Sequence, residues 1–295
     1  MRPPTTTRIR PGADVRVAVV GHHEWIEALR VDHLPVAGEI IHAIPSWSAP
    51  AGGAPATAGQ LFKLAGNVDL FVALGDDELG HRAKEEMQRM GFTVHAVFRD
   101  EPTRRGIVHI DDVGERTITV IGNRLHANGD DDLPWDLLDE ADACYFTAGD
   151  IGTLKHARRA RVLVSTSRVL ATLAGTGVKL DALVGSALDP GETYEDGDLA
   201  PPPHLVVRTE GAAGGTYQVA GEDEQRFAAV PVPGPIVDRY GAGDSFAGAL
   251  TYGLGARLSP KEAVGLAARC GAAVLTGAGP YETQLGLPEN GLRRT

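Results

Sequence analysis

Four short apolar runs constrain the fold of this chain more than any other feature. They are Ala143–Thr147, Arg161–Ser165, Ala182–Val184 and Leu205–Val207, spaced 15–25 residues apart. Helix-compatible segments separate the first three. Short, β-branched runs with no polar alternation are buried on both faces, and helical crossovers between them demand parallel neighbours. Arg16–Val20, closed by Gly21, and Val68–Leu74, closed by Gly75-Asp76-Asp77, read as further buried strands. The expected class is therefore α/β: a doubly wound, mostly parallel sheet with helices on both faces.

Other segments follow a different rhythm. Residues 29–50 alternate loosely and are broken by Pro35, Gly38 and Pro45. Gly106–Ile110 and Thr117–Ile121 alternate around the turn Asp111-Asp112-Val113-Gly114, as in a hairpin. A small, part-exposed β lid from about 29–50 and 104–122 is expected. Gly214–Val219 and Phe227–Val230 suggest another hairpin, and 242–255 and 260–275 suggest two small-residue helices. Residues 1–13, rich in Pro, Thr and Arg, read as disordered, leaving 14–295 as one domain.

Composition narrows the partners. Twenty-eight Lys and Arg against 39 Asp and Glu give a net charge of −11, which repels nucleic-acid backbones and anionic membranes. No run of ~18 apolar residues spans a membrane, and the N-terminus lacks the apolar core of a signal peptide. A cytoplasmic location is expected. The two cysteines, Cys144 and Cys270, both read as core.

Glycine is so abundant (37 residues) that G-x-G occurs four times, so a bare G-x-G identifies nothing here. Context singles out Val237–Gly255, VDRYGAGDSFAGALTYGLG. Glycines before a helix aim backbone N–H groups in one direction, and the helix dipole adds positive charge. Gly241, Ala242 and Gly243 would form an anion hole, with Asp244 beside it as a base for an attacking hydroxyl. The same residues also suit a plain turn, with Asp244 as a first-turn acid.

Asp238-x-x-Gly241-Ala242-Gly243-Asp244-Ser245-Phe246 resembles the C-terminal signature of the PfkB, or ribokinase-like, carbohydrate kinases, usually D-T-x-G-A-G-D-x-F, with Arg239 in place of Thr. The resemblance runs through residues 14–285. Gly52-Gly53-Ala54-Pro55-Ala56 resembles the family's G-G-x-x-x-N, with Thr57 in place of Asn. Ala73-Leu74-Gly75-Asp76-Asp77-x-x-Gly80 resembles V-G-D-D-x-x-G, and its acidic pair reads as structural. Asp189-Pro190-Gly191-Glu192 resembles N-x-x-E, and Thr209, Gly211 and Gly214 fall in the T-x-G-x-x-G of the nucleotide pocket.

The resemblance implies an ATP-dependent kinase acting on a sugar or sugar-like hydroxyl, with ATP and Mg²⁺ as cofactors. Asp244 would be the base and the 241–243 amides the anion hole. Glu192 would reach Mg²⁺ through water. A potassium-type ion would lie near Asp238. Thr209, Gly211, Gly214 and Arg269 would flank the nucleotide. Gly52, Gly53, Thr57, Glu24 and Arg105 would face the acceptor. Ile26 stands where the family carries an acid, which makes Glu24 the candidate polar contact.

His22-His23-Glu24 alternates across a strand end, a poor geometry for chelation. Arg104, Arg105 and Arg168 read either as solvated or braced charges or as clamps for an anionic substrate group. Two other readings stay open. The acceptor is a nucleoside stacked on Trp25 or Trp47, or the chain is a ligand-binding regulator without turnover. A homodimer through the lid is a further expectation.

Overall fold

A computed structural model describes residues 15–112 and 114–287. The segment expected to be disordered, 1–13, lies outside the described residues. The strands are β1 (Val17–His22), β2 (Glu24–Arg30), β3 (Ile44–Ala51), β4 (Asp69–Gly75), β5 (Thr93–Arg99), β6 (Arg105–Ile110) and β7 (Arg116–Ile121). They continue with β8 (Ala143–Phe146), β9 (Leu163–Thr166), β10 (Ala182–Ser186), β11 (Leu205–Thr209), β12 (Gly215–Val219) and β13 (Gln225–Phe227). The helices are α1 (Gly53–Ala65), α2 (Glu78–Arg89), α3 (Ile151–Ala157), α4 (Leu170–Leu173), α5 (Ala242–Gly255) and α6 (Pro260–Val274).

Nine strands form the main sheet in the order β13-β12-β11-β10-β9-β8-β1-β4-β5. It is parallel from β11 to β5, and β12 and β13 are antiparallel additions. The chain winds outward from β1 in one direction through β4 and β5, then returns to β8 and winds the other way. Order reverses between β1 and β8, and open α/β sheets bind ligands in the crevice at such a switch point. His22 ends β1 and Thr147 follows β8, so both stand at that crevice.

The period-2 pattern of β1 explains both layers. Val17 and Val19 pack into one core with Leu61 of α1, Met87 of α2, Leu250 of α5 and Leu266 of α6. Ala18 and Val20 pack into the other with Trp135, Leu138, Leu154 of α3 and Leu173 of α4. Both cysteines are buried. Each fully buried large side chain contributes about 1.5–3 kcal/mol, so this two-faced burial holds the short central strands.

A second sheet has the order β3-β2-β6-β7. Strand β2 pairs antiparallel with β3 and parallel with β6, and β6 pairs antiparallel with β7. It spans 24–51 and 105–121, so its first strand begins at Glu24, earlier than the pattern from residue 29 suggested. Glu24, Glu27 and Arg30 recur every third residue in β2, which hides its alternation. Ile26, Ala28, Ala51, Val108 and Ile110 form its core with Tyr240. Trp25, on the opposite face of β2, is buried in the main core, with the Arg82 guanidinium 4.5 Å from its ring centre. Ile44, Ile118, Val120 and Ile121 stay exposed.

Candidate active site

Helix α5 starts at Gly241, whose φ of 84° is left-handed. A methyl group there would come within 2.6 Å of Pro280 Cβ, so conformation and space both require glycine. No side chain caps this helix. Its first internal bond runs from Ser245 N–H to the Gly241 carbonyl at 2.8 Å, leaving the N–H groups of residues 242–244 without helical acceptors. A methyl group at Gly243 would meet nothing within 4 Å, so the space before these donors is open.

Asp244 lies in the first turn of this helix. The residue is part-buried by surface area. Burial raises its pKa to about 7; the Arg116 guanidinium opposes that rise, Glu192 and Glu24 reinforce it, and Arg168 opposes it. A carboxyl tuned to neutrality is suited to taking a proton from a hydroxyl.

Glu192 is held in place. Its Oε2 accepts from Ser186 N–H at 2.7 Å, and its Oε1 meets Arg168. Arg168 also donates to Asp189 Oδ2 at 2.7 Å and therefore braces the Glu192 loop. Thr209 ends β11 and its hydroxyl donates to the Gly185 carbonyl at 3.4 Å.

Gly214 departs from the expectation that it makes room for a nucleotide. A Cβ there would lie 2.2 Å from the Phe227 carbonyl, so the close neighbour is the chain's own hairpin. Gly211, by contrast, has only Leu188 Cδ1 within 4 Å, at 3.5 Å. Arg269 is exposed on α6, the helix that packs on α5.

On the acceptor side, Gly52 (φ 87°) brings α1 against the start of β2: a methyl there would sit 3.2 Å from Glu24 N. Gly53 is comparably close to His22 Cε1, at 3.2 Å, and to Thr147 Oγ1, at 2.8 Å. Glu24 is buried, with Oε1 2.8 Å from Arg104 Nε and 3.7 Å from His22 Nε2. Arg105 points elsewhere and pairs with Glu27 at 3.3 Å on the half-exposed side of β6. The arginine that meets Glu24 is thus Arg104: Arg105 is the first residue of β6 and alternation turns it away.

Thr57 is fully buried and donates to the Asp244 carbonyl at 3.4 Å. It joins α1 to α5 instead of facing the acceptor. Ile26 is likewise fully buried, in the small-sheet core. Arg124, which sequence reasoning missed, lies in electrostatic range of Arg104, Glu24 and Arg168, and Arg116 of β7 in electrostatic range of Asp244. Nothing periodic marks Arg124 in its loop, and Arg116 falls just before the expected strand Thr117–Ile121.

Asp238 is buried and its carboxylate is committed to N–H donors. Oδ1 accepts from Tyr240 N–H at 2.8 Å, and Oδ2 from Trp47 Nε1 at 2.8 Å and Gly279 N–H at 3.0 Å. This carboxylate organises the loop through those three donors. The small sheet is fastened to the same loop. Arg30 donates to the Val237 carbonyl at 3.3 Å, Arg116 to the Arg239 carbonyl, and Glu115 lies 3.5 Å from Arg239.

Asp77 caps α2 and accepts from Gly80 N–H at 2.8 Å and Thr103 N–H at 2.7 Å, a structural task. Among the described residues, no group of three or more His, Cys, Asp or Glu side chains is placed to hold a metal ion, and no helix is long and apolar enough to cross a membrane.

The start of α5, with a first-turn carboxyl and N–H groups that lack helical acceptors, belongs to a helix packed on β8 of the parallel sheet, in a chain that also carries a small second sheet. The family model for "pfkB family carbohydrate kinase" matches residues 15–184 and 179–285, and the chain belongs to that family. Its fold is that of ribokinase from Thermotoga maritima, with a TM-score of 0.75 and 21% identity over 92% of this chain and 96% of that one. Acarbose 7(IV)-phosphotransferase of Actinoplanes sp. is 50% identical over 50 residues, 17% of each chain. An ATP-dependent ribose-1-phosphate kinase of Halopiger xanaduensis is 34% identical over 113 residues, 37% of each chain. The chain thus matches well under half the length of these curated relatives.

Proposed function

We propose that this protein transfers the γ-phosphoryl group of ATP to a hydroxyl of a sugar or sugar-like small molecule. The observation that carries this reading is Asp244, a carboxyl tuned to about pH 7 within the first turn of a helix whose N–H groups are free. ATP would supply the electrophilic γ-phosphorus, and Mg²⁺ would neutralise charge on its phosphates. Asp244 takes the proton as the hydroxyl oxygen bonds to phosphorus, and the bond from phosphorus to the β–γ bridging oxygen breaks to release ADP. The Gly241, Ala242 and Gly243 N–H groups would face the oxygens that gain charge.

Glu192 fits a contact with Mg²⁺ through water, because its own oxygens are already held by Arg168 and Ser186. A potassium-type ion near residue 238 would rest on carbonyls. The small sheet acts as a lid that keeps water from the phosphoryl group. A nucleoside acceptor is less well served: Trp25 is in the core, and Trp47 is tied to Asp238 and set edge-on to Tyr240.

The test is ADP release from ATP and Mg²⁺ across a panel of sugars, sugar phosphates and nucleosides. Acceptor-dependent release that disappears in Asp244→Asn supports the reading. No acceptor-dependent release with any member would leave a ligand-binding protein.

A further inference from the structure

The main sheet carries a cavity on the face turned away from α5. Side chains alternate along β10 and β11: Val184 and Val207 join the core of α5 and α6, and Leu183 and Val206 join the opposite one. A cavity of about 170 Å³ lies on that second side, with Leu183, Val206, Tyr194, Arg208, Ser167 and Glu192 in its lining. Its origin is topological. A crossover between parallel strands ordinarily lays a helix across the sheet. The crossover from β10 to β11, residues 187–204, holds only the short turn Pro190–Glu192. Tyr194 and Leu199 cover part of the face in place of a helix, and the cavity is the part left open.

Leu183 and Val206 give the cavity an apolar, branched floor, and Arg208 gives it one cation. The Arg208 guanidinium lies 5.9 Å from the centre of the Tyr194 ring. Its hydrogen bonds, to Glu224 Oε2 at 3.4 Å and to the Tyr194 carbonyl at 3.5 Å, are both long, so its donors are under-used. A guanidinium fork matches a carboxylate. Charge narrows the choice further. Glu224 faces Arg208, and Asp196 and Asp198 lie in electrostatic range of Tyr194. A phosphate or a dicarboxylate would bring more negative charge there than one arginine balances. Size narrows it too: the volume is that of about six waters, below the ~300 Å³ at which sites for drug-sized molecules begin. We infer that this cavity is a second binding site, for a short branched aliphatic monocarboxylate, its alkyl group on Leu183 and Val206 and its carboxylate on Arg208.

The roof of the cavity connects it to Glu192. Ser167 Oγ donates to the Glu192 carbonyl at 2.7 Å, and Tyr194 follows two residues later. The Glu192 carboxylate takes the Ser186 N–H at the end of β10, at 2.7 Å. An occupant therefore packs beneath the loop that holds this carboxylate, and steadies it. The effect on turnover rests on the kinase reading; the binding does not. By linkage, the monocarboxylate and ATP with Mg²⁺ change each other's affinity by the same factor.

Calorimetric titration of the whole protein, with no nucleotide present, tests the site. The probes are isovalerate, its neutral counterpart isovaleramide, and inorganic phosphate. Isovalerate should bind at least about 10-fold more tightly than the amide, the gain expected from a charge-assisted hydrogen bond. Excess phosphate should not displace it, and Arg208→Met should erase the preference. Equal binding of acid and amide, displacement by phosphate, or an unchanged preference in Arg208→Met would overturn the inference. The comparison of acid with amide on the wild-type protein decides the matter even if the variant does not fold. The link to Glu192 is read by repeating the isovalerate titration on protein saturated with ATP and Mg²⁺, where the affinity should shift by about 5-fold or more. An unshifted affinity would refute the link while leaving the site. A failure to release ADP with any acceptor would sink the kinase reading, and the titration without nucleotide would stand unaffected.

Discussion

The indole N–H of Trp47 donates to the Asp238 carboxylate at 2.8 Å, joining a strand of the small sheet to the loop that opens α5. The same carboxylate fixes Tyr240 N–H, three residues before Gly243. One buried acid therefore ties the small sheet to the loop whose residues open α5.

Trp47→Phe tests that coupling. The ring still packs on Tyr240, but Asp238 Oδ2 keeps only the Gly279 donor. Losing a hydrogen bond to a charged group costs about 1.5–3 kcal/mol, so the melting temperature should fall. Acceptor-independent ATP hydrolysis should rise, because a loosened lid admits water. A stable variant with unaltered coupling of ATP use to product would show that the bond is incidental.

Asp244→Asn should lower kcat by at least ~10²-fold, the lower end for a general base. Dissociation constants for ATP and acceptor should change little. The same substitution should stabilise the protein at pH 8. A carboxyl whose folded pKa is raised to about 7 penalises folding above its unfolded value; the penalty grows through that window and levels off above about pH 7. The gain, on the order of 1–4 kcal/mol, should shrink as pH falls toward 4. Melting curves at pH 5 and pH 8 measure it, and a variant less stable than wild type at pH 8 contradicts the assignment.

The pH dependence of kcat/KM should carry an acidic limb near 7, with activity rising as Asp244 loses its proton. Arg116 holds that value down, so Arg116→Met should move the limb to higher pH. A limb that stays in place would separate Arg116 from the base.

Gly243→Val and Gly241→Ala should fail in opposite ways. A side chain at 243 points into open space, so the fold survives, while the stabilisation by ATP and Mg²⁺ and the rate are lost. At 241 the added methyl meets Pro280 in a left-handed backbone, so stability itself drops. Thermal shifts with and without ATP distinguish the two. An unchanged ligand shift in Gly243→Val would favour a plain turn.

The main sheet was legible because its strands are buried on both faces and carry their pattern locally. The start of α5 was legible because its glycines, acid and small-residue helix are contiguous. The acceptor side was not. Arg104 and Arg105 are adjacent, and only the entry into β6 decides which faces Glu24. Arg124 comes into electrostatic range of Glu24 because of where a loop returns, not because of its neighbours in sequence. Ile26 and Thr57 stand where the family pattern has an acid and an Asn. Both are buried in packing, so converting Ile26 to Asp would place a second acid beside Glu24 and chiefly cost stability.

Strand β1 ends at His22 and β2 begins at Glu24, so a single buried residue, His23, joins the large sheet to the small one. Such a joint has almost no slack. The small sheet cannot swing as a door on a flexible strap; any tilt must turn the peptide planes on either side of His23 and carry His22 and Glu24 with it. Under the function proposed above, grip on an acceptor and closure over it would be a single mechanical degree of freedom. A ligand that fitted those two residues poorly would then leave the cover ajar, and selectivity would be exerted through posture as well as through contact.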